Sequence, residues 1–199
     1  MKSDIILVSS SGAGMEAAFE EVDKVSVYKQ LSHKSTLYLH LLAEEMMALV
    51  RAIAGEVSGE FWIEDADSVY ELHLKVRALM SSSAREKLIS ASTSGKNEAA
   101  RGFMGKLRSF FEYAEGDPVF EDGLLFGCEA PVYGSMVWSM EDYREQLRQY
   151  REENRKGAQE AWDELEKSVV SKVADNVKVS IKGREAELTI IKKMEAPSK

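Results

Sequence analysis

The chain has 199 residues, 44% of them apolar and 30% charged, an ordinary globular composition with enough apolar residues for one substantial core. A formal charge of −8, with Lys and Arg dispersed and no basic stripe, speaks against a nucleic-acid partner. No apolar run approaches the roughly 18 residues of a membrane-spanning helix, the stretch MKSDIILVSSSGAG is too weakly hydrophobic for a secretory signal, and the single cysteine, Cys128, fits a reducing compartment, so a cytoplasmic protein without a membrane partner is expected.

Asp4 to Val8 is a short apolar run closed by Ser9-Ser10-Ser11-Gly12, which suits a buried strand entering a turn. Met15, Ala18, Phe19 and Val22 then recur at helical spacing, although Val25 and Val27 alternate as a strand would. A second helix is expected to start near Ser35-Thr36 and to stop at Gly55, with Leu39, Leu42, Met46, Leu49, Val50 and Ile53 on one stripe. On that wheel Glu45 borders the stripe beside Leu49, whereas Glu44 points to the opposite side. Glu60 to Glu64 and Val69 to Val76, joined by Asp65-Ala66-Asp67-Ser68, form a hairpin with Tyr70, Leu72, Leu74 and Val76 inward and a largely wet opposite face.

Beyond the hairpin, residues 81 to 97 are polar and serine-rich around a short helix at Ala84 to Ile89. Ala99, Phe103, Leu107, Phe110 and Ala114 mark a further helix that ends at Gly116-Asp117-Pro118. Residues 119 to 137 mix apolar residues, glycines and a proline and read as an ordered insertion, placed at about 116 to 140 within a single 1–199 domain. Ser139 with Asp142 forms a capping box that opens a long charged helix. Its stripe is Tyr143, Leu147 and Tyr150, then Ala158, Trp162, Leu165, Val169 and Val173, with a bend or break at Gly157. Val177, Val179 and Ile181 alternate before Lys182-Gly183-Arg184, and Ala186, Leu188 and Ile190 alternate after it, a second hairpin. This order predicts an α+β two-layer sandwich: a mixed, mainly antiparallel sheet covered by helices on one face.

The helix carrying LLAEE, the hairpin after it and the closing NVKVSIKGREAELTIIKK together resemble the anti-sigma regulatory serine kinase branch of the histidine-kinase-like ATPases, the Bergerat fold. The resemblance covers roughly residues 4–111 and 160–193. It implies that Glu45 is the catalytic glutamate that orients or activates the attacking group in phosphoryl transfer. One turn later the family places an asparagine that holds Mg²⁺ against ATP, and here stands Leu49, which has no oxygen to offer a hard cation; Ile53, where the family often has a histidine, offers none either. After the hairpin the family's adenine-binding aspartate and glycine are replaced by Val76-Arg77-Ala78-Leu79.

Ser94, Gly95, Lys96 and Asn97 are the candidate cofactor-binding residues, because backbone amides ahead of a helix can bind phosphate. They depart from a Walker loop, with Ser90 at the first glycine position and Asn97 after Lys96. His33, His40 and His73 lack metal-ligand spacing, and the pairs Glu20-Glu21 and Glu152-Glu153 read as solvated helical faces.

The expectation is therefore a degenerate family member: a regulatory, protein-binding module without Mg-ATP catalysis, with no cofactor or metal, bound to a regulatory protein or to itself. An ATP-dependent anti-sigma-type serine kinase, its nucleotide contacts moved onto Asn97 or the 92–97 loop, is the alternative that requires ATP and Mg²⁺. A structural reading instead makes the 139–175 helix an oligomerisation arm.

Overall fold

The protein was analysed as a computed structural model that describes residues 1–52, 57–77, 135–182 and 185–194. In chain order these form β1 (Ile6–Ser9), α1 (Met15–Tyr28), α2 (His33–Ala52), β2 (Ser58–Ala66), β3 (Val69–Arg77), β4 (Ser135–Ser139), α3 (Met140–Glu152), α4 (Ala158–Lys167), α5 (Val169–Val173), β5 (Asn176–Lys182) and β6 (Glu185–Lys193). The strands make one six-stranded sheet in the order β1-β2-β3-β6-β5-β4. The α+β class holds, and every pairing among the described residues is antiparallel. No helix among the described residues is long and apolar enough to cross a membrane.

Register explains how the core forms. Ile6, Phe61, Leu74, Leu188, Val179 and Trp138 lie opposite one another in a single row across all six strands. Because side chains alternate along each strand, that row and its period-two neighbours face one side of the sheet. The stripes of the helices pack on that side in one continuous hydrophobic cluster. From α2 come Leu39, Leu42, Ala43, Met46, Met47, Leu49 and Val50, all buried.

The outer face is mostly charged, as expected, with one departure. Trp62 and His73, cross-strand partners in the β2–β3 pair, are each only 8% exposed. Their rings stack with centroids 4.7 Å apart, and the Lys2 ammonium lies 4.6 Å from the Trp62 ring centroid. Trp62 Nε1 donates to Glu64, and His73 Nδ1 lies 3.1 Å from Glu187. An aromatic pair with its polar atoms held at the edges can shelter on a wet face.

Several boundaries move. β1 begins two residues later than expected because the Asp4 amide is already bonded to Glu21, which is 4% exposed and paired with Lys24. Glu21 is therefore a buried, partnered carboxylate and not part of a solvated face. α1 runs through Val25 and Val27 to Tyr28, with Val25 buried and Val27 turned to solvent. α2 starts at His33, where the Ser32 hydroxyl accepts from the Ser35 amide one turn ahead of the expected start. The first hairpin is longer and its turn shorter: Ala66 pairs with Val69, and Asp67 and Ser68 both take positive φ, as a two-residue I′ turn requires.

The helix expected over 139–175, with a bend or break at Gly157, is broken there and once more, into three. Ser139 caps α3 as anticipated. Asn154 and Gly157 then turn the chain in left-handed conformations, and Ser168 breaks it again and caps α5. The second break resets the helical phase, so Val170 is buried while Val169 is 40% exposed. Residues 135–139, assigned to the insertion or its border, belong to the sheet as β4. The expected helices at 84–89 and 99–114, the stop at Gly55, Cys128 and the rest of the insertion lie outside the described residues.

At the turn from β1 into α1, Gly14 takes φ 76°, and a Cβ there would sit 1.8 Å from the Leu7 carbonyl oxygen. Gly12 has φ 96° with open space around it. Gly12→Ala should cost the left-handed penalty alone, about 1–2 kcal/mol, and Gly14→Ala clearly more, because the backbone must move as well. Urea denaturation of both variants checks this, and equal losses would contradict the close approach.

Candidate functional site

The geometry of α2 decides what Glu45 can do. At 100° per residue, Glu45 falls at the border of the buried stripe, and its side chain is half-buried while Glu44 is exposed, as the wheel predicts. Burial, reinforced by the negative charge of Glu44, pushes the Glu45 carboxyl above its ordinary value. Among the described residues Glu45 has no hydrogen-bond or ion-pair partner.

A raised, accessible carboxyl is chemically suited to accept or hold a proton. Its surroundings on the helix supply nothing further. Leu49, one turn on, is 3% exposed and belongs to the core cluster. The stripe around it is Leu42, Met46 and Val50, all at 0% exposure. Thioether and alkyl groups of this kind are poor ligands for Mg²⁺. Among the described residues no group of three or more His, Cys, Asp or Glu is placed to hold a metal ion.

The other candidate residues, Ser94, Gly95, Lys96 and Asn97, lie outside the described residues, as do Ile53 and Ala78. His33 is exposed, His40 lies 2.7 Å from Asp23, and His73 belongs to the Trp62 stack. Among the clefts lined by described residues are three of about 560, 500 and 700 Å³. All three lie around α3, α4 and α5, and no residue of α2 lines any of them.

The first of these clefts gathers Arg148, Arg151 and Arg155, a constellation the sequence reading passed over as part of a charged helix. The i, i+3, i+7 spacing of the three arginines was the available signal. No protein-family model matches the chain, and no curated protein or solved structure matches it.

The raised Glu45 carboxyl has a consequence for stability. The folded state holds this proton more tightly than the unfolded chain does, so the contribution of Glu45 to stability falls as pH rises from the ordinary value of 4.5 through the folded value. Glu45→Gln should therefore be at least as stable as the parent at neutral pH, with the difference closing on the acid side of that window. Thermal melts across pH measure it, and a variant less stable at neutral pH than in acid, relative to the parent, would contradict burial as the cause.

Proposed function

We propose that the chain is a regulatory, protein-binding module on a degenerate histidine-kinase-like ATPase fold, cytoplasmic, and without Mg-dependent phosphoryl transfer. The observation that carries this reading is the burial of Leu49 at 3% exposure, at the position that the resemblance assigns to the metal-holding asparagine. Phosphoryl transfer depends almost wholly on placing metal and phosphate charge. A leucine packed into the core removes the anchor for both and leaves Glu45 as a lone carboxylate. Binding to a regulatory protein, or to a second copy, is what such a frame retains.

One observation favours the serine kinase reading. The Glu45 carboxyl is raised by burial, which is the direction a proton acceptor near neutral pH requires. Without a metal ligand on the same helix face, that property alone does not position ATP.

Calorimetric titration with Mg-ATP separates the two. The expected result is no Mg²⁺-dependent saturable heat that Glu45→Ala removes, so that parent and variant titrate alike. Saturable binding abolished by Glu45→Ala, or transfer of labelled phosphate to a partner protein, would overturn the proposal. Restoring the family residue by Leu49→Asn should not create Mg²⁺ binding. It should instead destabilise the fold by about 2–5 kcal/mol, since it both empties a packed site and buries an amide.

A further inference from the structure

We infer that the cleft at the junction of α3 and α4 is a binding site for a phosphate group. The chain carries a net charge of −8, yet this cleft of about 560 Å³ is lined by Arg148, Arg151 and Arg155, with Glu152 as its one carboxylate. Glu145 and Glu153 pair with Arg148 and Arg155, so what the cleft offers an anion is a concentration of guanidinium donors in one place and not a local excess of positive charge.

The backbone builds the cluster. α3 ends with Asn154 at φ 53°, its amide donating to the Arg151 carbonyl while the Arg155 amide donates to the Tyr150 carbonyl. That pair of bonds is a Schellman turn, which folds the residue after the helix back over its last turn. Arg155 thereby joins Arg148 and Arg151, which already share a helix face at i and i+3. α4 then starts at Gly157, φ 83°, with no side-chain cap, and its first residues Ala158 and Gln159 line the same cleft.

The guanidinium groups are held and not merely gathered. Arg151 lies over the Trp162 ring at 4.8 Å, and Arg155 over the Tyr150 ring at 4.3 Å. Arg151 Nε donates to the Gln159 side-chain oxygen, and Gln159 is itself fixed by Asp163. Arg155 Nε donates to Glu153 and Arg148 Nη1 to Glu145. Among the described residues each arginine so spends one donor on an internal partner and keeps the others of its five. A planar cation stacked on a ring, with free donors at its edge, is pre-oriented for the bidentate contacts that phosphate oxygens accept. A carboxylate offers two oxygens in one plane, whereas the tetrahedral dianion can meet guanidinium groups converging from both sides of a helix corner.

The ligand chemistry is a phosphate monoester or free phosphate, and this site is independent of the fate of Glu45. The test is titration of the full chain at low ionic strength, observed through the arginine Nε–H resonances, with inorganic phosphate, a phosphoserine peptide and its unphosphorylated twin. Saturable shifts of Arg151 and Arg155 are expected, weakened at least tenfold in Arg151→Gln/Arg155→Gln and unchanged in Arg77→Gln and Glu45→Ala. Arg151→Lys, which keeps the charge and loses the stack, should also bind more weakly. Tighter binding of the phosphopeptide than of inorganic phosphate would identify a phosphorylated side chain as the source, and equal binding a free phosphate. The inference is overturned if no phosphate probe saturates, if the double variant binds as the parent does, or if the unphosphorylated peptide binds as well as its phosphorylated twin. Melting curves of each variant confirm that the fold is retained.

Discussion

The contact between the apolar stripe of α2 and the inner face of the sheet is the constraint on which the rest of the molecule depends. Leu39, Leu42, Met46, Leu49 and Val50 supply one side of it and Phe61, Leu72, Leu74 and Leu188 the other. A fully buried side chain of this size contributes about 1.5–3 kcal/mol, so a polar residue anywhere in the layer is costly. Leu49 thus serves the fold, and on the proposed reading it does so at the position where a metal-holding asparagine would otherwise stand. Glu45 escapes this conflict by sitting at the edge of the stripe, where half-burial shifts its proton affinity without requiring a partner.

Charge is distributed around that core in an ordered way. The outer sheet face carries cross-strand carboxylate and ammonium groups, such as Lys75 with Glu185 at 3.0 Å, and shelters Trp62 and His73 among them. At the tip of the first hairpin, burial alone would raise the Asp65 carboxyl, but the Lys29 ammonium 2.7 Å away and the chain's amino group outweigh it and hold it below its ordinary value. That ion pair ties the end of α1 to the hairpin. The arginines collect elsewhere, at the corner between α3 and α4, on helices that touch the core only through residues such as Tyr143, Leu147, Ala161 and Leu165. Ligand chemistry placed there leaves the α2 contact undisturbed.

What the sequence made legible was periodicity. The α2 stripe, both hairpins and the opposite orientations of Glu44 and Glu45 follow from spacing alone, and the Ser139 cap follows from local hydrogen-bond chemistry. What escaped it depended on the chain meeting itself. Ser32 caps α2 although Ser35 and Thr36 offered the same hydroxyl chemistry a turn later. Glu21 is buried because the Asp4 amide and Lys24 satisfy it, and neither partner can be inferred from a helical wheel. Val169 and Val170 exchanged roles because Ser168 reset the helical phase. The arginine cleft required both a turn at Asn154 and the placement of Trp162, so a charge pattern that reads as a solvated face in one dimension becomes a concave surface in three.

The close approach of Gly14 to Leu7 bears on how the sheet ends. β1 is an edge strand, and because the Ser10 amide bonds to Val57, the alternation of antiparallel pairing turns the polar backbone groups of Leu7 away from β2. An open edge of that kind invites a further strand to dock. Here the start of α1 folds over it, with the Gly14 backbone against the Leu7 carbonyl and the Ser9 amide bonded to Ala13. The exposed apolar side chain of Leu7, at 72%, therefore stands beside a carbonyl that the Gly14 turn covers, and a side chain at Gly14 would push that cover off the edge.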